Sequence, residues 1–282
     1  MAERLRINIG DIIFDLNLPA AHLKTLLQSR YEPFLTDRAA IWQVTLTYDP
    51  SLKIENEPWI HHKGARTHFE IAGHTGWIDL DTREAVVSTP SDALAHSAVE
   101  RVMAFVCMQE LPRYHNALLL HGAGIVINGK GYVFFGASGR GKSTVSRLAR
   151  ARGQVLTDEN VIIRLTPSGA ELASTPFWGF GTPLEDICRI PYQQVPLLGL
   201  YSLVHAPDFT LTALPPAAAV MELLTSEKVA TERAASATAW LAMADRIIKE
   251  VPIYRLGFRP TLELWEFLAL GQERMIRSTD DS

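Results

Sequence analysis

The most constraining feature of the sequence is the glycine-rich segment 136–143, which matches the pattern G-x-x-x-x-G-K-[ST] at every fixed position. The apolar run Tyr132–Phe135 precedes it, and an amphipathic run from Lys142 to about Ala151 follows it. Glycines let the backbone turn so that successive N–H groups point at one centre, and the positive end of a following helix adds to that field. The sequence therefore predicts a strand, a phosphate-binding loop and a helix, in that order.

The loop carries two side chains that suit a nucleoside triphosphate. Lys142 is expected to reach the β- and γ-phosphates, and the Ser143 hydroxyl is placed to bind Mg²⁺. An ordinary glycine-rich turn between a strand and a helix needs neither residue. The sequence predicts ATP and Mg²⁺ as cofactors. The expected nucleotide contacts are Gly136, Ala137, Ser138, Gly139, Arg140, Gly141, Lys142, Ser143 and Thr144.

Two adjacent carboxylates, Asp158 and Glu159, follow the short predicted strand Gln154–Thr157, 16 positions after Lys142. If that strand lies next to the strand entering the loop, both carboxylates emerge at the end of the sheet where the loop lies. One can hold Mg²⁺ and the other can accept a proton from an attacking hydroxyl. A solvated acidic turn is the alternative. A motor-type ATPase is another, but there the pair usually lies farther from the loop, and Thr157 interrupts the apolar run expected before it.

His121 ends the apolar strand Ala117–Leu120 and lies 15 residues before Gly136. Between them, Asn128-Gly129 is a strong signal for a tight hairpin turn. A histidine at the end of a strand is most often structural. Here the hairpin would bring His121 back toward the acidic pair, which makes it a candidate catalytic residue together with Asp158 and Glu159.

These elements resemble a known family. The order of His121-Gly122, a β-hairpin, the phosphate loop, one helix and Asp158-Glu159 is similar to the catalytic domain of bacterial HPr kinase/phosphorylase. The resemblance implies an α/β (α+β) fold with a P-loop kinase core of the HPr kinase and phosphoenolpyruvate carboxykinase type. It also implies an ATP-dependent kinase that transfers the γ-phosphoryl group to a hydroxyl, most often a serine of a peptide or small protein.

The resemblance also assigns roles. Glu159 corresponds to the base for the serine hydroxyl, His121 contacts it, and Asp158 and Ser143 lie near the metal. The family has Asp-Asp where this chain has Asp158-Glu159, so the roles of base and metal ligand stay open between the two. Two further segments, 175–179 (Thr-Pro-Phe-Trp-Gly) and 254–265, which ends in Leu264-Trp265, resemble a subgroup of smaller members that includes kinases of the terminal serine of lasso peptides. The chain lacks the Arg-Gly-Leu-Gly-Ile-Ile signature of the bifunctional enzymes, so phosphorylase activity is not expected. The hexamers of the family make a homo-oligomer plausible.

The chain of 282 residues has two regions of different pattern. Residues 1–90 are rich in alternating apolar positions and predict a β-rich region, with a loop over 49–66 and a turn at 73–76. A linking helix is predicted over 91–111, and residues 91–282 are predicted to form the catalytic domain. No motif assigns a function to the first region.

Composition excludes several function classes. With 27 Lys and Arg against 31 Asp and Glu, the formal charge is −4, which disfavours broad binding to nucleic acid. No run of 18 apolar residues predicts a membrane span. The two cysteines, Cys107 and Cys188, lie among apolar residues and fit a reducing compartment, so we expect a cytoplasmic protein without a membrane or nucleic-acid partner.

Two rival functions remain at this stage. One is an NTPase in which Glu159 activates water, and the other is a nucleotide-sensing module that binds without turnover.

Phe177 and Trp178 suit either a nucleobase contact or a buried anchor. Arg189 and Arg259 suit either a phosphate clamp or a structural role. Four histidines are expected at the surface: His61, His62, His68 and His74.

Overall fold

The computed structural model describes residues 3–54, 57–178, 191–226 and 237–270. The chain forms two compact units. The first contains the described residues up to Asn116 together with 191–192 and 237–240, and the second contains the other described residues from Ala117 onward. The predicted linking helix therefore groups with the N-terminal strands and not with the second region.

The first unit is built on a seven-stranded mixed sheet in the order β1-β2-β3-β7-β6-β5-β4. Its strands are β1 Glu3–Ile9, β2 Ile12–Leu18, β3 Trp42–Tyr48, β4 Trp59–Lys63, β5 Arg66–Ile71, β6 His74–Asp79 and β7 Glu84–Thr89. Its helices are α1 Ala21–Arg30 and α2 Ala95–Tyr114, with 3₁₀ turns at Glu32–Phe34 and Asp92–Leu94. The predicted β-rich character of this region is present in the structure. Strand β4 lies inside the stretch that we predicted to be a loop.

Helix α2 packs on the sheet of the first unit, against β3, β6 and β7. Apolar residues at helical spacing, such as Ala98, Val102 and Val106, are fully buried on its inner face. The helix continues through Pro112 to Tyr114, three residues past the predicted end at 111. Cys107 is buried in this helix, and burial raises the pKa of its thiol, which fits the predicted role as a small apolar residue.

The prediction for the turn between β5 and β6 was wrong. The turn is Ala72-Gly73, both with positive φ, and His74 already pairs with Ile71. His74 is consequently inside the sheet and only 1% exposed, whereas we expected a surface histidine. Its Nε2 lies 3.2 Å from Ser97 Oγ on α2, and its Nδ1 is buried without a hydrogen-bond partner.

The second unit holds an eight-stranded mixed sheet. Its strands are β8 Ala117–Ile127, β9 Lys130–Phe135, β10 Gln154–Thr157, β11 Asn160–Thr166, β12 Gly169–Ala173, β13 Gln194–His205, β14 Thr210–Ala213 and β15 Ile253–Phe258. Helices α3 and α4 cover Lys142–Ala149 and Pro216–Ser226, helix α5 covers Ala237–Glu250, and residues 263–270 are helical. The two mixed sheets with helices confirm an α/β (α+β) class.

Strand β8 is one continuous strand with two sets of partners. Residues Ala117 to His121 pair with β11, and Gly122 to Ile127 pair with β9. Its second half also pairs with β10 on its other edge. The pairs β8-β11, β11-β12, β12-β13, β13-β9 and β9-β8 close a ring of five strands. We had predicted a short strand that ends at Leu120, whereas β8 continues to Ile127.

Several local predictions for the second unit are confirmed. Asn128 and Gly129 form the tight turn between β8 and β9, with φ of 51° and 73°. The predicted strand Gln154–Thr157 is present as β10, and an antiparallel hairpin of β11 and β12 follows it. Helix α3 begins at Lys142 but ends two residues earlier than expected. Strands β13 and β14 were not predicted.

None of the described helices is long and apolar enough to cross a membrane.

Burial of His74 predicts a specific loss of stability in acid. Burial, with smaller contributions from Arg101 and His96, lowers the pKa of His74 from 6.5 to about 4. Between these values the unfolded chain takes up a proton that the folded chain does not, so stability falls as the pH falls. We expect His74 to account for about 2 kcal/mol of the loss between pH 7.5 and pH 5.0.

Urea unfolding of wild type and His74→Leu at the two pH values tests this prediction. The substitution should reduce the acid-induced loss, whereas His61→Leu, at an exposed strand position, should keep the wild-type pH dependence. An unchanged loss in His74→Leu contradicts the prediction.

Candidate active site

The glycine-rich segment forms a tight loop between β9 and α3. Its glycines, Gly136, Gly139 and Gly141, have φ of 143°, 81° and 103°, a region that side chains with a Cβ rarely adopt. Gly141 is the N-cap of α3, and the first helical hydrogen bond runs from Val145 N to Gly141 O at 2.9 Å. The strand, loop and helix thus follow one another as predicted, and the N-terminus of α3, where backbone N–H groups have no carbonyl partner within the helix, lies at the loop.

Lys142 lies across this loop. Its Nζ donates a hydrogen bond to the Gly136 carbonyl at 2.6 Å, so the side chain folds back from the first helical residue to the first loop residue. Ser143 is exposed in the first turn of α3, and Thr144 beside it is half-buried. The cationic group and a free hydroxyl are therefore both at the helix N-terminus, where an anion is favoured.

The loop is anchored on the ends of β13 and β15. Arg140 Nη1 donates to the Leu203 carbonyl at 3.2 Å, and His205 Nε2 donates to the Gly139 carbonyl at 3.0 Å. A Cβ on Gly141 would lie 2.6 Å from Cζ of the buried Phe258 ring. Sequence reasoning missed His205 because it did not predict β13, and no local motif surrounds this histidine.

The acidic pair follows β10 at the same end of the sheet as the loop. We had considered the case in which β10 lies next to β9, but β8 lies between them. Both strands run antiparallel to β8, with Thr157 opposite Gly124 and Phe135 opposite Gly122. Two strand spacings, about 10 Å, thus separate the strand that enters the loop from the strand that enters the acidic turn.

His121 and Glu159 are brought together by the pairing of β8 with β11. His121 Nδ1 lies 3.6 Å from Glu159 Oε1, and the Gly122 N–H donates to the Glu159 carbonyl at 3.1 Å. The side chains are 23% and 41% exposed, so the carboxylate remains accessible from solvent while the imidazole is largely covered. The expected contact between these two residues is present.

Thr157 positions the acidic turn, a role that the sequence did not reveal. Its buried hydroxyl donates to the Phe177 carbonyl and accepts a hydrogen bond from the Glu159 N–H at 3.3 Å. Phe177 and Trp178 are only 4% and 7% exposed, which makes them buried anchors and not open contacts for a base. The only sequence signal for this role was a hydroxyl at the end of an apolar strand, and we had interpreted Thr157 as an interruption of the apolar run before the acidic pair.

Arg259 does not extend toward the loop. Its guanidinium pairs with Glu263 at 2.6 Å and lies over the Phe209 ring, 5.3 Å from the ring centroid. This is the structural alternative for Arg259. Arg189 and Cys188 lie outside the described residues.

The residues present suit Mg²⁺ that arrives with a nucleotide. Within the described part of the chain, no three His, Cys, Asp or Glu side chains converge into a metal-binding group. Ser143 and Asp158 offer a hydroxyl and a carboxylate, which are oxygen donors of the type Mg²⁺ prefers. Mg²⁺ commonly combines one or two carboxylates with phosphate oxygens and waters, so a full cage of protein ligands is not required.

Comparisons with known proteins give a family and a distant structural likeness. No match was found among curated proteins. Among solved structures, the Hpr(Ser) kinase/phosphatase from Coxiella burnetii matches 56% of this chain and 98% of its own, with 13% identity and a TM-score of 0.35. Residues 89–269 match the family described as SynChlorMet cassette protein ScmC. The chain therefore belongs to the ScmC family.

Proposed function

We propose that this protein is an ATP-dependent kinase that transfers the γ-phosphoryl group to a hydroxyl, namely a serine of a peptide or small protein. The observation that carries the proposal is the position of Glu159, held beside His121 at the end of the sheet where the phosphate loop lies. A cytoplasmic location and a homo-oligomer stay predictions.

The loop and its lysine bind the triphosphate in this proposal. Successive N–H groups of residues 136–143 and the N-terminus of α3 face the phosphates, and Lys142 leaves the Gly136 carbonyl to contact their oxygens. Ser143 and Asp158 are the residues that would hold Mg²⁺, which neutralises charge on the β- and γ-phosphates when bound. These contacts fix the γ-phosphorus at the end of the sheet that carries the carboxylates.

Glu159 is the proposed base. The acceptor oxygen forms a bond to the γ-phosphorus, the bond from that phosphorus to the bridging oxygen breaks, and the hydroxyl proton passes to the Glu159 carboxylate. His121 orients this carboxylate through its Nδ1, and Thr157 fixes the backbone N–H of Glu159. We assign the base to Glu159 and the metal to Asp158 because the described histidine contact is to Glu159.

Lys142→Ala should weaken binding of ATP and also lower the transfer rate, because it removes the ammonium group that lies across the loop. Lys130→Ala is the matched control: this lysine is exposed at the start of β9, in the same unit, and its removal should leave both properties unchanged. Titration calorimetry with ATP and Mg²⁺ measures the binding. Equal affinities in the two variants would contradict phosphate binding by Lys142.

Glu159→Gln should leave ATP affinity unchanged and lower the rate of transfer by roughly 10²–10⁴-fold, the contribution expected of a general base. Asp158→Asn should instead raise the Mg²⁺ concentration needed for half-maximal activity. Glu171→Gln, a carboxylate on the neighbouring strand β12, serves as the control. Wild-type turnover by Glu159→Gln would refute the assignment of the base. If Asp158→Asn lowers the transfer rate and Glu159→Gln raises the Mg²⁺ requirement, Asp158 is the base and Glu159 holds the metal.

Transfer must be separated from hydrolysis. We expect ATP labelled in the γ-phosphate to label at least one member of a set of synthetic serine-containing peptides, and Ser→Ala in that peptide to abolish the label. Release of labelled inorganic phosphate at a rate that no acceptor changes would favour an NTPase with water as acceptor. Tight binding of ATP with no ADP formed over hours would favour a sensing module.

A further inference from the structure

An exposed aromatic stack lies directly beside the phosphate loop. The His205 ring, at the end of β13, stacks on Phe258, at the end of β15, with centroids 5.6 Å apart and planes inclined by 26°. Phe258 is 1% exposed, whereas His205 is exposed. The imidazole therefore covers the phenyl ring and presents its outer surface to solvent.

The loop itself fixes the orientation of this imidazole. Its Nε2 donates to the Gly139 carbonyl at 3.0 Å, and its Cε1 is the neighbour that a Cβ on Gly141 would meet at 3.4 Å. One ring face is packed on Phe258 and one ring nitrogen is bonded to the loop. The ring is thus ordered before any ligand binds, which lowers the entropy cost of stacking on it.

The position of the stack matches the nucleoside end of a triphosphate. The strand order β10-β8-β9-β13-β15 places the acidic turn on one side of β9 and the His205–Phe258 stack on the other. A triphosphate whose γ-end points to Asp158 and Glu159 has its α-phosphate and nucleoside directed toward β13 and β15.

We propose that His205, supported by Phe258, is the platform on which the nucleobase of the bound nucleotide stacks. This inference rests on the proposed function, because it extends the same phosphate loop to the rest of its ligand. Aromatic rings and bases stack through their π-faces, and any base has such a face. Phe177 and Trp178, the aromatic residues that the sequence suggested for this role, are buried instead.

The test compares ATP with inorganic tripolyphosphate, which has the phosphates but no base. In titration calorimetry with Mg²⁺, we expect wild type to bind ATP more tightly than tripolyphosphate. His205→Ala should weaken ATP binding by about 5- to 100-fold more than it weakens tripolyphosphate binding, the range for loss of one stacked base, because both ligands share any effect of the lost hydrogen bond to Gly139. His205→Phe should restore most of the ATP affinity, since it keeps the ring and loses only the hydrogen bond to Gly139.

The outcomes separate this inference from the proposed function. Wild type that binds neither ligand contradicts the proposed function itself. Equal weakening of both ligands in His205→Ala means that His205 only positions the loop, and failure of His205→Phe to recover ATP binding excludes stacking. Either result overturns the proposed role of His205 as a stacking platform and leaves the phosphate site intact.

If circular dichroism shows that His205→Ala does not fold, His205→Leu takes its place in the test, because leucine fills the same space without a π-face. His61→Ala, at an exposed histidine of the first unit, is the control.

Discussion

The candidate site depends on the change of partner along β8 at His121-Gly122. Up to His121 the strand pairs with β11, which follows the acidic turn, and from Gly122 it pairs with β9, which enters the glycine-rich loop. One N–H, that of Gly122, donates to the Glu159 carbonyl at the point of change. A Cβ at Gly122 would approach the Phe134 carbonyl at 3.0 Å, so a larger residue crowds the strand there. The base candidate and the loop are held together by this backbone and not by a side-chain contact alone.

The parts of the site that the sequence predicted are those with local causes. The glycine pattern, the Asn128-Gly129 turn and the short strand before Asp158 each require only neighbouring residues, and each is present. Strand β13 was not predicted, because Pro196 lies within it and its partners are β9, β12 and β15, which are distant in sequence. His205 was missed for the same reason, since its importance arises from two strands meeting beside the loop.

In the first unit, the turn between β5 and β6 was also predicted incorrectly, because the role of a glycine there depends on a neighbouring strand. The prediction assigned the turn between β5 and β6 to 73–76 because it contains two glycines, yet Ala72 takes the left-handed conformation with Gly73. Gly76 serves packing instead: a Cβ there would lie 2.3 Å from the Val86 carbonyl on β7. A glycine needed for close approach of strands and a glycine needed for a turn are identical in sequence. Because the turn lies at Ala72-Gly73, His74 is already part of β6, and its side chain is buried.

The cationic side chains of the loop make different contacts, and Lys142 lies across the loop with its Nζ on the Gly136 carbonyl. The Arg140 guanidinium donates to the Leu203 carbonyl on β13.

A carboxylate on α4, Glu222, lies near these cations. It forms an ion pair with Arg255 and accepts a hydrogen bond from Ser202. Ser202 pairs in the sheet with Phe135, the last residue of β9 before the loop. Burial raises the pKa of Glu222, but the hydrogen bonds from Arg255 and Ser202 and the charges of Arg255 and Arg140 outweigh it and lower the pKa overall. The ionised Glu222 carboxylate therefore offsets part of the positive charge of Arg255 and Arg140, and the guanidinium of Arg140 ties the loop to the end of β13.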